Sequence, residues 1–436
     1  LPRRLTFPHA VFAPIAGSYQ EVFTHDVCDP TGEDAPGRTT HLDYDAFGRL
    51  TSTRFADGTT EERSYDAEGR LVTRQDRAGR VTTMTYDAAG RLSTTTFPDG
   101  TTTTNTYDAA GQLITKTDQR GHTTVFAYDA AGRRTRITDA LGHTTTVTYD
   151  PAGNQTAVTD PAGNETLFAY DALGRRIETT FADGTAIETG YDELSRRISE
   201  TDQAGGTTRL GYDPLARLIE VTDAMGQTVS YSYDEVGNRR TQTDANGNTT
   251  RFTYDEMGRK TSRTLPGGAS ESFAYNADGT LASHTDFSGA TTTFEYDDNQ
   301  RLTRRVLPDG SQVALIYSPT GRRTSVTDAR GVTTYAYDEL DRRTVAIHPD
   351  GSRLEYAYDP SGNRTRLTAT IGSTVVTTTY TYDALDRLST VTAPDGGVYE
   401  HSYDPAGNRS KLTFPNGVET TTSYDALHRL VDLTTT

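Results

Sequence analysis

The dipeptide Tyr-Asp returns along almost the whole chain at a fixed interval, and that interval limits what the chain can fold into more than any other feature. The ladder tyrosines are Tyr44, Tyr65, Tyr86, Tyr107, Tyr128, Tyr149, Tyr170, Tyr191, Tyr212, Tyr233, Tyr254, Tyr275, Tyr296 and Tyr317, spaced by 21, then Tyr337, Tyr358, Tyr382, Tyr403 and Tyr424. They define 19 repeats, numbered here in that order. Only Asn276 and Ser318 replace the Asp, and both can still accept a hydrogen bond in a turn. Four residues after the Tyr, thirteen repeats carry Gly, while Ser195, Ala216, Gln300, Asp341, Asp386 and His428 replace it in the other six.

Within one repeat, Thr101 to Tyr107 is a run of strand formers, Asp108-Ala109-Ala110-Gly111 a turn, Gln112 to Thr117 a second strand, and Asp118-Gln119-Arg120-Gly121 a second turn. The opening Asp can bond its own backbone two residues on, and the closing Gly supplies the positive φ of a hairpin turn with a bulge. Asp57-Gly58, Asp99-Gly100, Asp183-Gly184, Asp309-Gly310 and Asp350-Gly351 read as a shorter form of the second turn. Since both turns are hairpin turns, the chain reads as a continuous antiparallel meander.

Strand periodicity supports this. Two residues before the Tyr, fourteen of nineteen positions are apolar or aromatic, Leu42, Met84, Phe126, Val147, Phe168 and Leu210 among them, and the position between is small or polar in nearly every repeat. Six residues after the Tyr, Leu stands nine times and Arg, Lys or Gln fills the rest, with long basic stems expected to cover the aromatic row. Tyr and Phe are expected to stack from hairpin to hairpin as ladders, each cross-strand pair worth roughly 0.2–1 kcal/mol. About 38 strands at ~4.8 Å would make a ribbon roughly 180 Å long if flat, and open twisted sheets rarely exceed ~10 strands without curling. The predicted fold class is therefore all-β, a long antiparallel β-hairpin meander of 21-residue repeats coiling into a hollow shell or superhelical ribbon. Residues 42–436 form the repeat region, and residues 1–41 a non-repeat N-terminal segment acting as a linker, a plug fragment or a cap on the first sheet edge.

Composition enters as a conflict. Leu, Ile, Val and Phe make up roughly one residue in six, below the ~20% at which composition alone reads as disorder, whereas the Thr and Tyr content fits a pleated surface. A length of 436 residues suggests enough chain for a large buried core. The net charge of −17 argues against nucleic acid as a partner. No stretch approaches the ~18 apolar residues of a membrane helix. Val11 to Gly17, the one candidate signal segment, is short and interrupted by Pro14. The chain does not begin with Met, which suggests a piece of a longer polypeptide. A single Cys28 excludes an internal disulfide framework, and with His25 it supplies too few ligands for a closed metal site.

The run Tyr86-Asp87-Ala88-Ala89-Gly90-Arg91-Leu92, repeated over residues 42–436, closely resembles the YD repeat of RHS proteins. The resemblance implies a β-ribbon that spirals into a hollow cocoon, as in RHS polymorphic toxins, the B and C components of insecticidal toxin complexes, and teneurins. In the bacterial members it implies a C-terminal toxin as cargo, severed by an aspartyl self-cleavage motif of the approximate form Asp-Pro-x-Gly-Leu, and export through a secretion or delivery apparatus. Asp150-Pro151-Ala152-Gly153, Asp160-Pro161-Ala162-Gly163, Asp359-Pro360-Ser361-Gly362 and Asp404-Pro405-Ala406-Gly407 approach that motif, but Asn follows each and each sits at a turn position. They read as turns. The sequence also ends without an RHS core or a compositional shift marking a toxin, and so looks like a shell segment without plug or cargo.

Other chemistry finds little support. Asp244, Asn246 and Asn248 imitate the start of an EF-hand loop, yet Thr249 stands where Gly is needed. His122 and His143 occupy equivalent positions two strands apart, roughly 9.6 Å, too far for one metal ion. Five Asn-x-Ser/Thr sequons, at Asn154, Asn164, Asn248, Asn363 and Asn408, would matter only in a eukaryotic secreted protein. No residue is expected to be catalytic, and no cofactor or metal is expected. The leading expectation is a secreted, non-catalytic shell that encapsulates and helps deliver a C-terminal toxin. The alternative is a repeat module binding carbohydrate or a cell-surface receptor, and a hydrolase stands third.

Overall fold

The computed structural model describes residues 13–15, 18–24 and 39–436. Among them are forty β-strands and no helix. Strands β1 (Ala13–Ile15) and β2 (Ser18–Thr24) precede the first repeat, and β2 pairs with β3 (Thr39–Tyr44) from Tyr19↔Tyr44 to Thr24↔Thr39. The other expectations for residues 1–41, including Cys28, lie outside the described residues.

From β3 onward each repeat is two strands. Strand β4 (Leu50–Arg54) pairs back on β3, and β5 (Thr60–Tyr65) pairs on β4. Every described strand pair is antiparallel, which is why Thr, Val and aromatic residues suffice to build the chain: each strand needs only its sequence neighbours. The register carries the repeat's signature. Tyr44 faces Leu50 while Asp43 faces Ser52, so Thr51 is an extra residue in a β-bulge, and the same shift recurs at Tyr65, Tyr86 and Tyr149. Across the second turn the register runs without a shift, as in Thr53↔Glu61 and Arg54↔Thr60.

The two turns are one type. In the first, Asp87 N–H donates to the Arg91 carbonyl and Gly90 N–H to the Asp87 carbonyl, both at 2.9 Å; in the second, Phe97 and Gly100 make the same pair of bonds. The Asp-Gly turns are therefore not the shorter form that their sequence suggests. Phe takes the opening position and Asp99 moves to the third, where its Oδ1 accepts from Thr101 N–H and Oγ. A true two-residue turn occurs at Ala329-Arg330, with Asp328 paired directly to Gly331, and it makes the Tyr317–Tyr337 repeat one residue short. All six residues that replace the closing Gly of the first turn keep φ at 60–61°, the left-handed region.

The chain divides into two compact units, one of Leu1–Gly121, Phe273–Thr285 and Ala290–Thr378, the other of His122–Ser272, Asp286–Gly289 and Thr379–Thr436. Neither contains the large core that chain length suggests. Among the described residues the buried apolar side chains are Ala157, Phe252 and Ala346, and most of the ribbon is half-buried. The low content of Leu, Ile, Val and Phe is thus the composition of a single-layer ribbon, not of a disordered chain.

Candidate functional site

The recurring feature with defined chemistry is the edge formed by the first turns. In repeat 3 the Asp87 carboxylate accepts from Ala89 N–H (2.9 Å) and Arg91 N–H (2.9 Å) through Oδ1 and from Arg91 Nε (2.8 Å) through Oδ2. The hydrogen bond from the Arg91 side chain, then the one from its backbone N–H, hold Asp87 below the usual carboxylate range. Fixed in this way, the guanidinium reaches forward to repeat 4. Its Nη1 donates to the Asp108 carbonyl (2.8 Å), and its plane lies over the Tyr107 ring at 4.7 Å. Tyr107 completes the clasp by donating its hydroxyl to the Leu92 carbonyl (2.8 Å), beside the bulge of repeat 3.

The clasp repeats. An Arg five residues after the ladder Tyr stacks on the next ladder Tyr at no fewer than ten junctions among the described residues, from Arg49 over Tyr65 (4.8 Å) to Arg387 over Tyr403 (4.5 Å). At least fourteen of the described ladder tyrosines donate to a carbonyl of the preceding repeat, at 2.6–3.1 Å. This revises the expectation that tyrosines stack on one another. Ladder tyrosines of neighbouring repeats are two strands apart, roughly 9.6 Å, beyond the ~7 Å limit of ring contact, and the intervening Arg fills the gap. The basic stems six residues after the Tyr do cover the other aromatic row, as with Arg134 over Phe126 (5.0 Å) and Arg343 over Tyr356 (4.9 Å). The Arg at the clasp position has no role in a reading based on hydrophobic alternation. Its recurrence in thirteen of nineteen repeats was the available signal.

The candidates for other chemistry fall on these turns. Gly153, Gly163, Gly362 and Gly407 each donate to the carbonyl of the Asp in their Asp-Pro-x-Gly segment at 3.0–3.1 Å. The Asn that follows donates Nδ2 to that Asp carboxylate in all four, at 2.9–3.1 Å. These Asn residues are four of the sequons, and the fifth, Asn248, binds Asp244 in the same way (3.0 Å). The hydrogen bond from the Asn154 side chain keeps Asp150 below the usual carboxylate range, and that from Asn248 does so for Asp244. Such carboxylates order a turn; a general acid needs the opposite shift. His143 Nδ1 lies 3.1 Å from Asp139 in its own turn, and the strand Arg134–Thr138 separates it from the strand that follows His122. Among the described residues no group of three or more His, Cys, Asp or Glu is placed to hold a metal ion.

The edges also meet over long range within each unit. In the first, Arg301 of repeat 13 lies 3.5 Å from Asp57 of repeat 1, Arg342 of repeat 15 lies 3.8 Å from Asp99 of repeat 3, and Asp359 of repeat 16 lies 3.5 Å from Arg120 of repeat 4. In the second, Arg429 of repeat 19 lies 3.2 Å from Asp183 of repeat 7. In each pair a first turn meets a second turn twelve repeats earlier. Arg80 of repeat 2 pairs with Asp341 of repeat 15, thirteen repeats later, at 2.9 Å, and the hydrogen bond that it donates to Asp341 raises the Arg80 pKa. Apolar tips accompany the ions: Leu340 enters a 520 Å³ cleft with Phe55 and Phe97, and Leu427 a 430 Å³ cleft with Val158 and Phe181.

Comparison with known proteins agrees with this geometry. The teneurin YD-shell family model matches residues 33–200 and 145–348, and the RHS-repeat model matches residues 358–398 and 403–436. No curated protein matches in sequence. Among solved structures, the TcdB2-TccC3-Cdc42 crystal structure superposes with a TM-score of 0.80 at 18% identity over 95% of this chain and 27% of that one. The Photorhabdus luminescens Tc holotoxin pore, carrying a TccC3 variant, gives 0.78 at 18% identity over 95% and 27%. The TcdB2-TccC3 crystal structure gives 0.75 at 18% identity over 98% and 29%. The chain spans about a quarter of the length of the solved chains it matches.

Proposed function

Because this chain belongs to the teneurin YD-shell family of RHS-repeat proteins, we propose that it is the wall of a secreted shell that encapsulates a toxin chain and helps deliver it, without catalysis of its own. The observation that carries this reading is the fold shared with TcdB2-TccC3 over 95% of the chain. The edge contacts twelve repeats apart add a physical argument, since a ribbon that closes on itself by ion pairs and apolar tips can separate an enclosed volume from solvent. The turn carboxylates bonded within their own turns favour a structural role. The cargo would be another part of the same polypeptide, and a secretion or delivery apparatus the further partner.

The test is limited proteolysis of the native product from its source, followed by intact mass under denaturing conditions. A fragment beyond this sequence that stays protected, and becomes sensitive when the shell is opened in acid, supports encapsulation. Recovery of the repeat region alone, with no protected fragment at any stage, overturns it. A second reading has one observation in its favour: a 450 Å³ cleft in which Phe168, Phe181 and Tyr191 stand beside Arg176, Arg197 and Glu200, the mixture of ring faces and polar groups that suits a sugar. Glycan-array binding abolished by Tyr191→Ala would favour it.

A further inference from the structure

The ion pairs that join the two edges in the first unit carry a pattern of sign. Along the second-turn edge the charges that face the later repeats are Asp57 in repeat 1, Arg80 in repeat 2, Asp99 in repeat 3 and Arg120 in repeat 4, alternately acidic and basic. The carboxylates that open the turns of repeats 2 and 4 leave this order intact, because Asp76 and Asp118 accept hydrogen bonds within their own turns. On the first-turn edge, repeat 15 answers with two adjacent residues of opposite charge: Asp341 meets Arg80 and Arg342 meets Asp99. Arg301 of repeat 13 meets Asp57, and Asp359 of repeat 16 meets Arg120. In repeat 15 the residue four after the ladder Tyr thus reaches thirteen repeats back and the residue five after it twelve. The second unit keeps the same rule in repeat 19, with His428 beside Asp160 (3.0 Å) and Arg429 beside Asp183 (3.2 Å).

This order excludes a slip by one repeat. At an offset of eleven, Asp341 would meet Asp99, Arg342 would meet Arg120 and Arg301 would meet Arg80. At thirteen, Asp341 would meet Asp57, Arg342 would meet Arg80 and Asp359 would meet Asp99. All six of these pairs are like in sign, whereas the four that the chain forms are opposite. The eight side chains are 13–21% exposed, so water screens them only in part and a like pair is costly. Nothing else in the seam makes the choice as sharply. A change of one repeat in twelve asks each strand pair to alter its twist by about a tenth, well inside the range that sheets show. Leu340, seated between Phe55 and Phe97 two repeats apart, would keep one of the two rings after a slip either way. We propose that the alternating charges are a register code that selects an offset of twelve repeats over eleven or thirteen. The selection lies as much in the repulsion at the wrong offsets as in the attraction at the right one. It stands whether or not the shell holds a toxin.

The chain has three lysines, Lys116, Lys260 and Lys411, so one added amine can report the register. Arg120→Lys keeps the positive charge. Treated with a zero-length carbodiimide in the full chain, the new amine is expected to couple to Asp359 and not to carboxylates one repeat to either side, as read by tandem mass spectrometry of the linked peptides. Adding Arg80→Asp and Asp99→Arg makes both pairs of repeat 15 like pairs at an offset of twelve, and leaves one of the two matched at eleven or thirteen. The share of links displaced by one repeat is then expected to rise at least about tenfold over Arg120→Lys alone, with strand content unchanged by far-UV circular dichroism. The same displacement is expected for Arg120→Lys alone when NaCl is raised to about 1 M, where the screening length falls to about 3 Å, and this arm needs no further substitution. Links confined to Asp359 in the folded triple variant overturn the proposal. So does loss of that link with none displaced, the sign of edges that part rather than slide. Where the triple variant does not fold, links confined to Asp359 at high salt overturn it instead.

Discussion

Replacing Arg387 with Ala removes one clasp, and the consequence can be worked from the contacts. Arg387 Nε lies 2.7 Å from the Asp383 carboxylate, both side chains being about one-fifth exposed, and its guanidinium lies 4.5 Å from the Tyr403 ring centroid. A half-buried cation–π contact contributes about 0.5–1 kcal/mol, and a charge-assisted hydrogen bond about 1 kcal/mol once solvent screening is allowed for. The expected loss is therefore about 2 kcal/mol, or roughly 30-fold faster hydrogen exchange where local opening controls it. Because each repeat rests on its neighbours, the loss should be confined to the strands Leu388–Thr392, Val398–Tyr403 and Arg409–Thr413, leaving Thr249–Tyr254 unchanged. Tyr403→Phe keeps the ring and removes only the 2.8 Å bond to the Leu388 carbonyl, so about 1 kcal/mol is expected. Arg387→Lys should fall between wild type and Arg387→Ala, since an ammonium keeps the charge without the planar fork. Exchange in residues 388–413 within about threefold of wild type for Arg387→Ala would refute the clasp as a source of stability.

Three further outcomes are expected. Ala216→Gly relieves a left-handed residue at φ 61° and should stabilise its hairpin by about 0.5–1 kcal/mol after the entropy cost of Gly, seen as slower exchange across residues 207–222. The carboxyls of Asp129, Asp171, Asp213 and Asp425 are held below the usual range by backbone and then side-chain hydrogen bonds from the clasp Arg, and that of Asp87 by the side-chain bond first. A depressed folded-state pKa gives stability that is full above the unfolded value near ~3.9 and lost as pH falls through the folded values; an acid titration by circular dichroism should show unfolding there, with little change from pH ~5 to ~8. Finally, Asp99→Asn keeps the turn bond to Thr101 but removes the charge facing Arg342, so proteolytic nicking at residues 338–342 should increase without loss of the local hairpin.

The legibility of this fold follows from how local it is. Strand, turn and bulge repeat every 21 residues, so the alternation and the Asp-to-Gly spacing were enough to place them, and even the six non-Gly residues at positive φ could be named from position alone. Three features needed coordinates. The Asp-Gly pairs looked like two-residue turns because dipeptide chemistry does not reveal which turn position Asp occupies. The tyrosine ladder was misread because periodicity places like residues in a row without showing that Arg lies between them. The return of the edge after twelve repeats depends on accumulated twist, to which every residue contributes a little and no motif a signal. For the candidate sites, the turn positions of Asp150, Asp160, Asp359 and Asp404 were legible, whereas the Asn clamp on each carboxylate was not.

The offset between docked edges has a consequence for how such a chain can change length. Both edges share one period, so deleting or duplicating a whole repeat would shift every later first turn to a different second turn while keeping the two edges in step. The ribbon works as a rack whose teeth are evenly pitched. A ribbon built on this plan can change its number of repeats and keep its pitch, so its length becomes a matter of counting.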